Sequence, residues 1–248
     1  MDVKILNKFT NGRSGASVYL AEYQGTIGVY KTGIKNVPAL LELRTKIPFR
    51  TPIIYEAIGN EVFMEYIDGI SVFDYLNTSE NVSEISKYIC SYIKFSFDSA
   101  IGYKDFSKEI EEKILQVSDT ISPSVYDGIP RVLPNTIVHG DFTFDNLIYS
   151  NGEFVMIDLS PTQFSSIYFD INKLRQDLNG LWFARNKEIT DAIVNKCKLI
   201  YYDIATEYPN LFNDSIYRLM VSRIISYCEK NSFDLNYVMN LIVGYNAI

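Results

Sequence analysis

Histidine, cysteine and tryptophan are scarce in this chain of 248 residues, which contains one, three and one of them. Cys90, Cys197 and Cys228 lie far apart in apolar stretches, so they provide neither a disulfide framework nor a zinc site. Reduced core thiols are typical of proteins that remain in a reducing compartment. We therefore expect a cytoplasmic protein with free cysteines.

Long apolar runs and clusters of positive charge are also missing. No run approaches the ~20 residues of a membrane span, and the opening MDVKILNKFT does not resemble a secretory signal. Lys and Arg number 23 against 30 Asp and Glu, which gives a net charge of −7 without a basic stripe. We expect neither a membrane nor a nucleic acid as partner. The acidic excess favours a cationic substrate, or it only keeps the protein soluble. The sequence does not indicate an oligomeric state.

Two kinds of periodicity divide the chain. Alternation of apolar and polar residues, with a short helix at 38–45, predicts strands at 3–9, 17–23, 26–31, 53–58 and 61–66. A period near 3.6 predicts helices near 71–77, 82–99, 106–118, 169–182, 187–206, 211–229 and 233–247. Residues 146–157 instead indicate a tight β-hairpin. We expect an α+β fold with a β-rich nucleotide-binding lobe at 1–67 and a helical catalytic and substrate-binding lobe at 68–248, which contains the hairpin.

The stretch VHGDFTFDNLIYSNGEFVMIDLS at 138–160 combines an apolar run with regularly spaced polar residues. Asp141 precedes the first strand of the hairpin, Asn146 begins it, and Asp158 follows the second strand. Because a hairpin brings the start of one strand beside the end of its partner, we expect Asn146 and Asp158 to be neighbours. Two hard oxygen ligands suit Mg²⁺ that also binds phosphates, and a third carboxylate can orient a hydroxyl and accept its proton. The pattern predicts phosphoryl transfer; the alternative is a hairpin with polar loop ends.

The motif His139-Gly-Asp141-x4-Asn146, with Asp158 twelve residues later, resembles the catalytic and metal-binding motifs of the aminoglycoside phosphotransferase and choline kinase family. The resemblance implies a bilobal protein-kinase-like fold, with a small antiparallel β-sheet lobe and a larger, mainly helical lobe. It also implies Asp141 as the catalytic base, Asn146 and Asp158 as Mg²⁺ ligands, and His139 as an organiser of the loop.

The stretch NGRSGASVY at 11–19 resembles a kinase glycine-rich loop. The resemblance implies that small residues let the backbone approach the phosphates of a nucleotide, and that one apolar residue covers its adenine ring. These positions are Gly12, Ser14, Gly15 and Ser17 for the phosphates and Val18 for the adenine. The alternative is an ordinary hairpin loop.

Further residues of the predicted small lobe resemble kinase positions. Lys31 follows apolar strand residues, as does the kinase lysine that contacts the α- and β-phosphates, and Glu42 is the candidate to hold it. Glu65 and Ile67 are expected to bind adenine through their backbone, with Met64 behind the ring. The alternatives are a surface lysine, an exposed helix glutamate and a plain edge strand.

Two features of the helical region have a structural and a functional interpretation. Asp170 resembles the family's aspartate that supports the catalytic loop, although a helix cap explains it equally well. The aromatic residues Trp182, Phe183, Tyr201 and Tyr202 either stack on sugar rings or fill the core.

The sequence predicts an enzyme that transfers the γ-phosphate of ATP or GTP to a hydroxyl of a small molecule. The candidate acceptors are a sugar or other polyol, an aminoglycoside and an amino alcohol. A protein kinase is a less favoured alternative, because Leu-Ser follows Asp158 and a helix begins too soon for a peptide-binding platform. A non-catalytic nucleotide-binding scaffold is the other alternative, although the chain keeps Lys31, Asp141, Asn146 and Asp158.

Overall fold

The structure, a computed structural model, describes residues 1–9, 16–228 and 232–243. Its strands and helices are, in chain order, β1 (Lys4–Phe9), β2 (Ser17–Tyr23), β3 (Thr26–Thr32), α1 (Val37–Lys46), β4 (Ile54–Ile58), β5 (Glu61–Glu65), β6 (Ile70–Ser71), α2 (Val72–Thr78), α3 (Ser83–Asp98), β7 (Tyr103–Asp105), α4 (Ser107–Leu115), β8 (Val132–Pro134), β9 (Leu147–Ser150), β10 (Glu153–Met156), α5 (Ile167–Leu178), α6 (Asp191–Glu207), α7 (Asp214–Ser222) and α8 (Phe233–Val243). Short 3-10 turns lie at Pro123–Tyr126, Phe144–Asn146, Trp182–Ala184 and Arg223–Tyr227. The mixed α+β composition agrees with the sequence expectation.

The chain divides into two compact units. The first consists of Met1–Ile70 and Leu147–Pro161, and the second of Ser71–Asn146 and Thr162–Ile248. The hairpin is therefore grouped with the β-rich unit, although the preceding part of the sequence is helical. The predicted domain boundary after residue 67 stays a prediction.

The first unit contains a five-stranded antiparallel sheet with the order β1-β2-β3-β5-β4. Ala21, Tyr30 and Phe63 form a small buried cluster on three neighbouring strands of this sheet. The tight turn between β2 and β3 consists of Gln24 and Gly25, whose φ angles are +50° and +79°. Two successive positive φ values are typical of the hairpin turn whose twist matches that of its strands.

The hairpin of β9 and β10 pairs Leu147 with Met156 and Ser150 with Glu153. Its turn has positive φ values, +53° and +85°, at Asn151 and Gly152, which are the residue types that adopt them most readily. The hairpin belongs to a three-stranded sheet with the order β10-β9-β6.

Gly69 allows the chain before β6 to approach the hairpin closely. A Cβ atom at Gly69 would lie 2.5 Å from the carbonyl oxygen of Tyr149, so no larger residue fits without displacing backbone. The hydroxyl of Ser150 donates to the carbonyl of Asp68 at the same place.

The second unit is organised around a large apolar cluster to which α4, α5, α7 and α8 contribute. Ile110, Phe169, Leu219 and Val238 are buried members of this cluster. The predicted helix at 211–229 is shorter in the structure, where α7 ends at Ser222 and a 3-10 turn follows. The two-stranded sheet of β7 and β8 was not predicted, since neither strand exceeds three residues.

Two of the sequence expectations concern membrane-spanning helices and the state of the cysteines. Within the described ranges, the helices all fall short of the length and apolar character needed to cross a membrane. Cys90, Cys197 and Cys228 are free thiols.

Candidate active site

Residues 138–146 form a loop that helix α5 supports. The carboxylate of Asp170 accepts the N–H of Gly140 at 3.0 Å and the hydroxyl of Tyr92 at 2.7 Å. The same hydroxyl accepts the N–H of His139 at 2.6 Å. Burial, and then the charge of Asp170, raise the pKa of Tyr92 well above its usual value, so the hydroxyl keeps its proton. Asp170 therefore braces the loop and does not cap the helix, since it lies inside the first turn.

Two more charged residues of α5 hold the same loop. Lys173 and Asp177 follow Asp170 at three and seven residues, a spacing that places all three on one side of a helix. Lys173 donates to the carbonyl of Gly140, and Asp177 accepts the N–H of Phe144 at 2.8 Å. Burial disfavours both charges, and it lowers the pKa of Lys173 and raises that of Asp177. Buried side chains thus fix the backbone of the loop.

His139 is fully buried, and its Nδ1 atom accepts the backbone N–H of Asp141 at 3.2 Å. Its ring meets the ring of Phe142 edge-on at 5.9 Å. A buried imidazole that binds the backbone next to Asp141 is suited to organising this loop.

Asp141 forms ion pairs with two cations of the second unit. Its Oδ1 atom lies 3.0 Å from Nη2 of Arg223 and 3.7 Å from Nζ of Lys173. Neither cation is aligned for a hydrogen bond, so within the described residues this buried oxygen has no hydrogen-bond donor. Burial alone would raise the pKa of Asp141, but the charges of Arg223 and Lys173 outweigh it and lower the pKa to about 2. The carboxylate is ionised, and its Oδ1 atom is able to accept a hydrogen bond.

Asn146 ends the loop beside Asp141. Its amide nitrogen donates to the backbone carbonyl of Asp141 at 2.8 Å and to Oδ2 of the same residue at 3.2 Å. Both bonds use the nitrogen, which leaves the amide oxygen for another partner. In the part of the chain that the structure describes, no three His, Cys, Asp or Glu side chains converge as a metal site. A hard amide or carboxylate oxygen still suits Mg²⁺, which takes further ligands from water and phosphate.

In the first unit, Lys31 of β3 forms an ion pair with Asp158, 127 residues away in sequence. The side chain of Lys31 is 15% exposed and that of Asp158 is 44% exposed. Asp158 has a φ of +58°, in the left-handed region that few residues other than glycine adopt. Backbone held in such a region is frequent at functional sites.

Glu42 does not hold Lys31, which corrects the pairing considered for it. Glu42 lies on α1 and accepts the ammonium of Lys46 at 2.6 Å across one helical turn. The hydrogen bond from Lys46 is also the main cause of the lowered pKa of Glu42. The pair is exposed, as solvated helix pairs usually are. Asp158 takes the place expected for Glu42.

The predicted nucleotide loop is only partly described. Three of its residues, Gly12, Ser14 and Gly15, lie outside the described residues. Ser17 and Val18 begin β2, where Val18 is the register partner of Lys31 on β3. The structure therefore brings Val18 and Lys31 together on neighbouring strands.

The predicted adenine-binding segment begins at the end of β5. Met64 and Glu65 are the last two residues of that strand, and Ile67 is buried just beyond it. The backbone N–H of Glu65 donates to the carbonyl of Ile53 at 2.8 Å, so this group is already bonded. The carboxylate of Glu65 pairs with Arg50, whose hydrogen bond is the main cause of its lowered pKa.

Sequence reasoning missed Lys173, Asp177 and Arg223. The first two were detectable from the spacing Asp-x-x-Lys-x-x-x-Asp at 170–177, which repeats every three to four residues on one helical face. Arg223 had no such signal, because it follows an apolar helix and its partner is 82 positions away.

The four aromatic residues of the helical region differ in environment. Trp182 and Phe183 are buried, which favours the core interpretation for both. Tyr201 stacks on Phe212 with ring centroids 4.5 Å apart, while the side chain of Tyr202 is exposed.

Known proteins resemble this chain in structure rather than in sequence. No protein-family model and no curated protein matches the sequence. A putative aminoglycoside phosphotransferase from Ralstonia eutropha is 12% identical with a TM-score of 0.61, and the match covers 97% of this chain and 89% of that one. A putative fructosamine-3-kinase from Thermobifida fusca is 12% identical with a TM-score of 0.56, covering 97% and 91%.

A thermostable mutant of aminoglycoside phosphotransferase APH(4)-Ia, solved as a ternary complex with ADP and hygromycin B, is 13% identical with a TM-score of 0.58. That match covers 99% of this chain and 96% of the other. Such low identity shows the fold alone. The chain therefore has the protein-kinase-like fold of aminoglycoside phosphotransferases, which confirms the predicted fold.

Proposed function

With this fold as the premise, we propose that the chain is a cytoplasmic phosphotransferase that moves the γ-phosphate of ATP or GTP to a hydroxyl of a small molecule. Asp141 is the catalytic base in this proposal, and Asn146 and Asp158 hold Mg²⁺. The acceptor is a sugar or polyol, an aminoglycoside or an amino alcohol.

The fold supports the reaction class, because the similar structures bear the names of enzymes that phosphorylate small molecules. One of them was solved with ADP and hygromycin B, a nucleotide together with a small molecule. Fold alone does not establish function. The proposal therefore depends on the chemistry of the residues in each unit.

The observation that carries the proposal is the environment of Asp141. This carboxylate is ionised, and its buried Oδ1 atom lacks a hydrogen-bond donor among the described residues. A buried acceptor without a donor is rare in proteins, and a catalytic role is one of the reasons for which such an acceptor is retained. The hydroxyl of an acceptor molecule is the group that would satisfy it.

In the first unit, the pair of Lys31 and Asp158 supports a nucleotide site. A lysine suits phosphate oxygens, and an exposed carboxylate suits a divalent cation. The proposed nucleotide contacts are Gly12, Ser14, Gly15, Ser17, Val18, Lys31, Met64, Glu65 and Ile67. Glu42 is left out, because its carboxylate is bonded to Lys46.

The register of the hairpin supports the metal assignment. Leu147 pairs with Met156, Asn146 directly precedes Leu147, and Asp158 comes two residues after Met156. An amide oxygen and a carboxylate oxygen fit the ligand preference of Mg²⁺. When bound, Mg²⁺ would neutralise negative charge on the phosphates.

The residues of the chain would act mainly by positioning. Phosphoryl transfer proceeds with little bonding to the nucleophile in most analyses, so a strong base is not needed. Asp141 accepts the hydrogen bond of the acceptor hydroxyl and aligns its oxygen with the γ-phosphorus. Lys173 and Arg223 hold the carboxylate ionised, and Lys31 binds phosphate oxygens.

The segment after Asp158 favours a small acceptor over a peptide. Only eight residues separate Asp158 from Ile167, where α5 begins. A protein kinase uses this interval for the activation segment that binds its peptide. A measurement of turnover separates an enzyme from a nucleotide-binding scaffold.

The proposed function is tested by measuring nucleotide turnover with Mg·ATP and Mg·GTP over sugars, aminoglycosides and amino alcohols. The Asp141→Ala variant serves as the blank, because it removes the carboxylate and keeps the nucleotide-binding residues. We expect at least one acceptor to give turnover that the blank lacks. Nucleotide binding without such turnover on any acceptor would instead support the scaffold alternative.

A further inference from the structure

The backbone that carries Arg223 is fixed at the end of helix α7. This helix ends at Ser222, and a 3-10 turn begins at Arg223. The residues on either side, Ser222 and Ile224, are buried, and Ile224 belongs to the large apolar cluster of the second unit. The hydroxyl of Ser222 also donates to the carbonyl of Arg218 at 2.6 Å. Packing and a hydrogen bond therefore hold the chain on both sides of Arg223.

The guanidinium of Arg223 has one charged partner. Its Nη2 atom lies 3.0 Å from Oδ1 of Asp141, and no other carboxylate of the described residues lies within 4.0 Å. The side chain is 19% exposed, and its buried Nε atom has no acceptor among the described residues. Desolvation of a guanidinium is costly, so such a pair is weak evidence for stability and is better explained by a functional role.

Lys173, the second cation beside Asp141, has a different task. Its ammonium donates to the carbonyl of Gly140 and lies 3.7 Å from Oδ1 of Asp141, farther than Arg223 does. Lys173 thus holds the backbone of the loop at 138–146. Arg223 is the cation that is directed at the carboxylate itself.

The carboxylate of Asp141 has a neighbour at each oxygen. The amide nitrogen of Asn146 donates to Oδ2 at 3.2 Å, and Arg223 approaches Oδ1. A bidentate pair of an arginine and a carboxylate would occupy the lone pairs of both oxygens. The approach of Arg223 is instead not aligned for a hydrogen bond, so Oδ1 keeps its lone pairs. Arg223 therefore attracts the carboxylate by charge and leaves Oδ1 able to accept a hydroxyl.

Taking the proposed phosphotransfer function as given, we propose that Arg223 is a positioning residue, which holds the Asp141 carboxylate in the orientation that receives the acceptor hydroxyl. The contact that carries this role joins residues 82 positions apart and leaves the hydrogen-bonding capacity of Oδ1 free. Arg223 acts through Asp141 and not on the nucleotide. A misplacement of a reacting group by about 1 Å can lower turnover ~10²-fold.

Two substitutions of Arg223 separate this role from a structural one. Turnover is measured as release of ADP from Mg·ATP, with water alone and with each acceptor of the screen. Arg223→Gln should lower kcat about 10–100-fold and change the KM for ATP less than about twofold, since Asp141 is not a proposed nucleotide contact. Arg223→Lys keeps the positive charge and should retain at least about a fifth of kcat, because the contact is not bidentate.

Arg218 provides the matched control. It lies on the same helix α7, and its Nε atom is also buried without a partner among the described residues. Its guanidinium donates to the carbonyl of Val125 at 3.4 Å. Arg218→Gln should leave kcat within about twofold, and circular dichroism verifies that each variant is folded. The proposal is overturned if Arg223→Gln loses no more kcat than Arg218→Gln, or if Arg223→Lys loses as much as Arg223→Gln.

A double variant tests whether Arg223 acts through Asp141. Asp141→Asn combined with Arg223→Gln removes both charges of the pair, so the comparison holds even if Arg223→Gln alone does not fold. The kcat of the double variant should lie within about twofold of that of Asp141→Asn, because the effects of residues that act as a unit are not additive. A larger further loss would show that Arg223 acts independently of Asp141 and would overturn the proposal.

The outcome for the proposed function is separate. Turnover that requires Asp141 and survives Arg223→Gln would overturn the positioning role and leave phosphotransfer intact. Absence of turnover of Mg·ATP with water and with every acceptor would count against phosphotransfer itself, and the positioning role would fall with it.

Discussion

At the scale of single residues, Asp141 is a weak base because two nearby positive charges stabilise its ionised form. Arg223 and Lys173 overcome the effect of burial and lower its pKa to about 2. Such a carboxylate holds a proton poorly, but it accepts a hydrogen bond at any pH near neutrality. It therefore suits a reaction in which orientation of the nucleophile matters more than early proton removal.

Replacement of Asp141 should separate turnover from binding. We expect Asp141→Asn to lower turnover ~10²–10⁴-fold, because the amide keeps the shape but loses the charge. Nucleotide affinity should change little, since Asp141 is not among the proposed nucleotide contacts. Steady-state kinetics and a nucleotide titration measure the two quantities. Asp98→Asn, in an exposed helix pair, is the control, and unchanged turnover in Asp141→Asn would exclude the assigned role.

Replacement of Tyr92 by Phe tests whether its hydroxyl supports the loop at 138–146. Its hydroxyl donates to Asp170 and accepts the N–H of His139, so Tyr92→Phe removes two buried hydrogen bonds. The phenyl ring keeps its packing on Phe142, whose centroid is 4.4 Å away. We expect the free energy of unfolding in urea to fall by about 1–3 kcal/mol.

Tyr202→Phe provides the matched control for this measurement, because it makes the same chemical change at an exposed position. It should alter the free energy of unfolding by less than about 0.5 kcal/mol. Equal effects of the two substitutions would contradict the bracing role of Tyr92.

Residues that act through long-range contacts were only partly predictable. Lys31 and Asp158 were found through motifs, because each stands at a recognisable position on a strand or at its end. Lys173 and Arg223 were not found, because a lysine or arginine on an amphipathic helix usually points to solvent. Helix α5 is instead buried on nearly all sides, which its apolar pattern does not reveal.

At the scale of elements, strong periodicity gave accurate boundaries. The strand predicted at 17–23 coincides with β2, and the helix predicted at 82–99 differs from α3 by one residue at each end. The alternation in the first segment is long enough to exclude a helix, and the 3.6-residue repeat in the second is long enough to exclude a strand.

Weak or interrupted periodicity caused the misses. Strands β7 and β8 have three residues each and pair across a separation of about thirty residues, which is too little pattern to detect. The apolar pattern of the helix predicted at 211–229 continues through Ile224 and Ile225. The chain there nevertheless tightens into a 3-10 turn, which begins at Arg223.

At the scale of the whole molecule, nucleotide binding should stabilise the folded chain only together with a divalent cation. A ligand at a hundred times its Kd stabilises the native state by about 2.7 kcal/mol, which raises the Tm of a chain of this size by roughly 5–10 °C. We expect Mg·ADP to produce such a shift in a thermal melt.

Removal of the cation with EDTA at the same ADP concentration should abolish most of that shift. EDTA without nucleotide is the control for any effect of the chelator itself. A shift of equal size with and without Mg²⁺ would show that the nucleotide binds independently of the proposed metal ligands.

The most direct test of the account is a double-mutant cycle on Asn146 and Asp158, read as the affinity for ADP with Mn²⁺, which accepts the same oxygen ligands as Mg²⁺. Asn146→Ala removes the amide, and Asp158→Gly removes the carboxylate while tolerating the positive φ of that position. If both side chains bind one ion, each single substitution lowers the affinity for ADP with Mn²⁺. The affinity of the double variant should then be only slightly lower than that of the weaker-binding single variant. Full additivity of the two effects, or no effect of either, would contradict a shared ion and with it the proposed phosphoryl-transfer site.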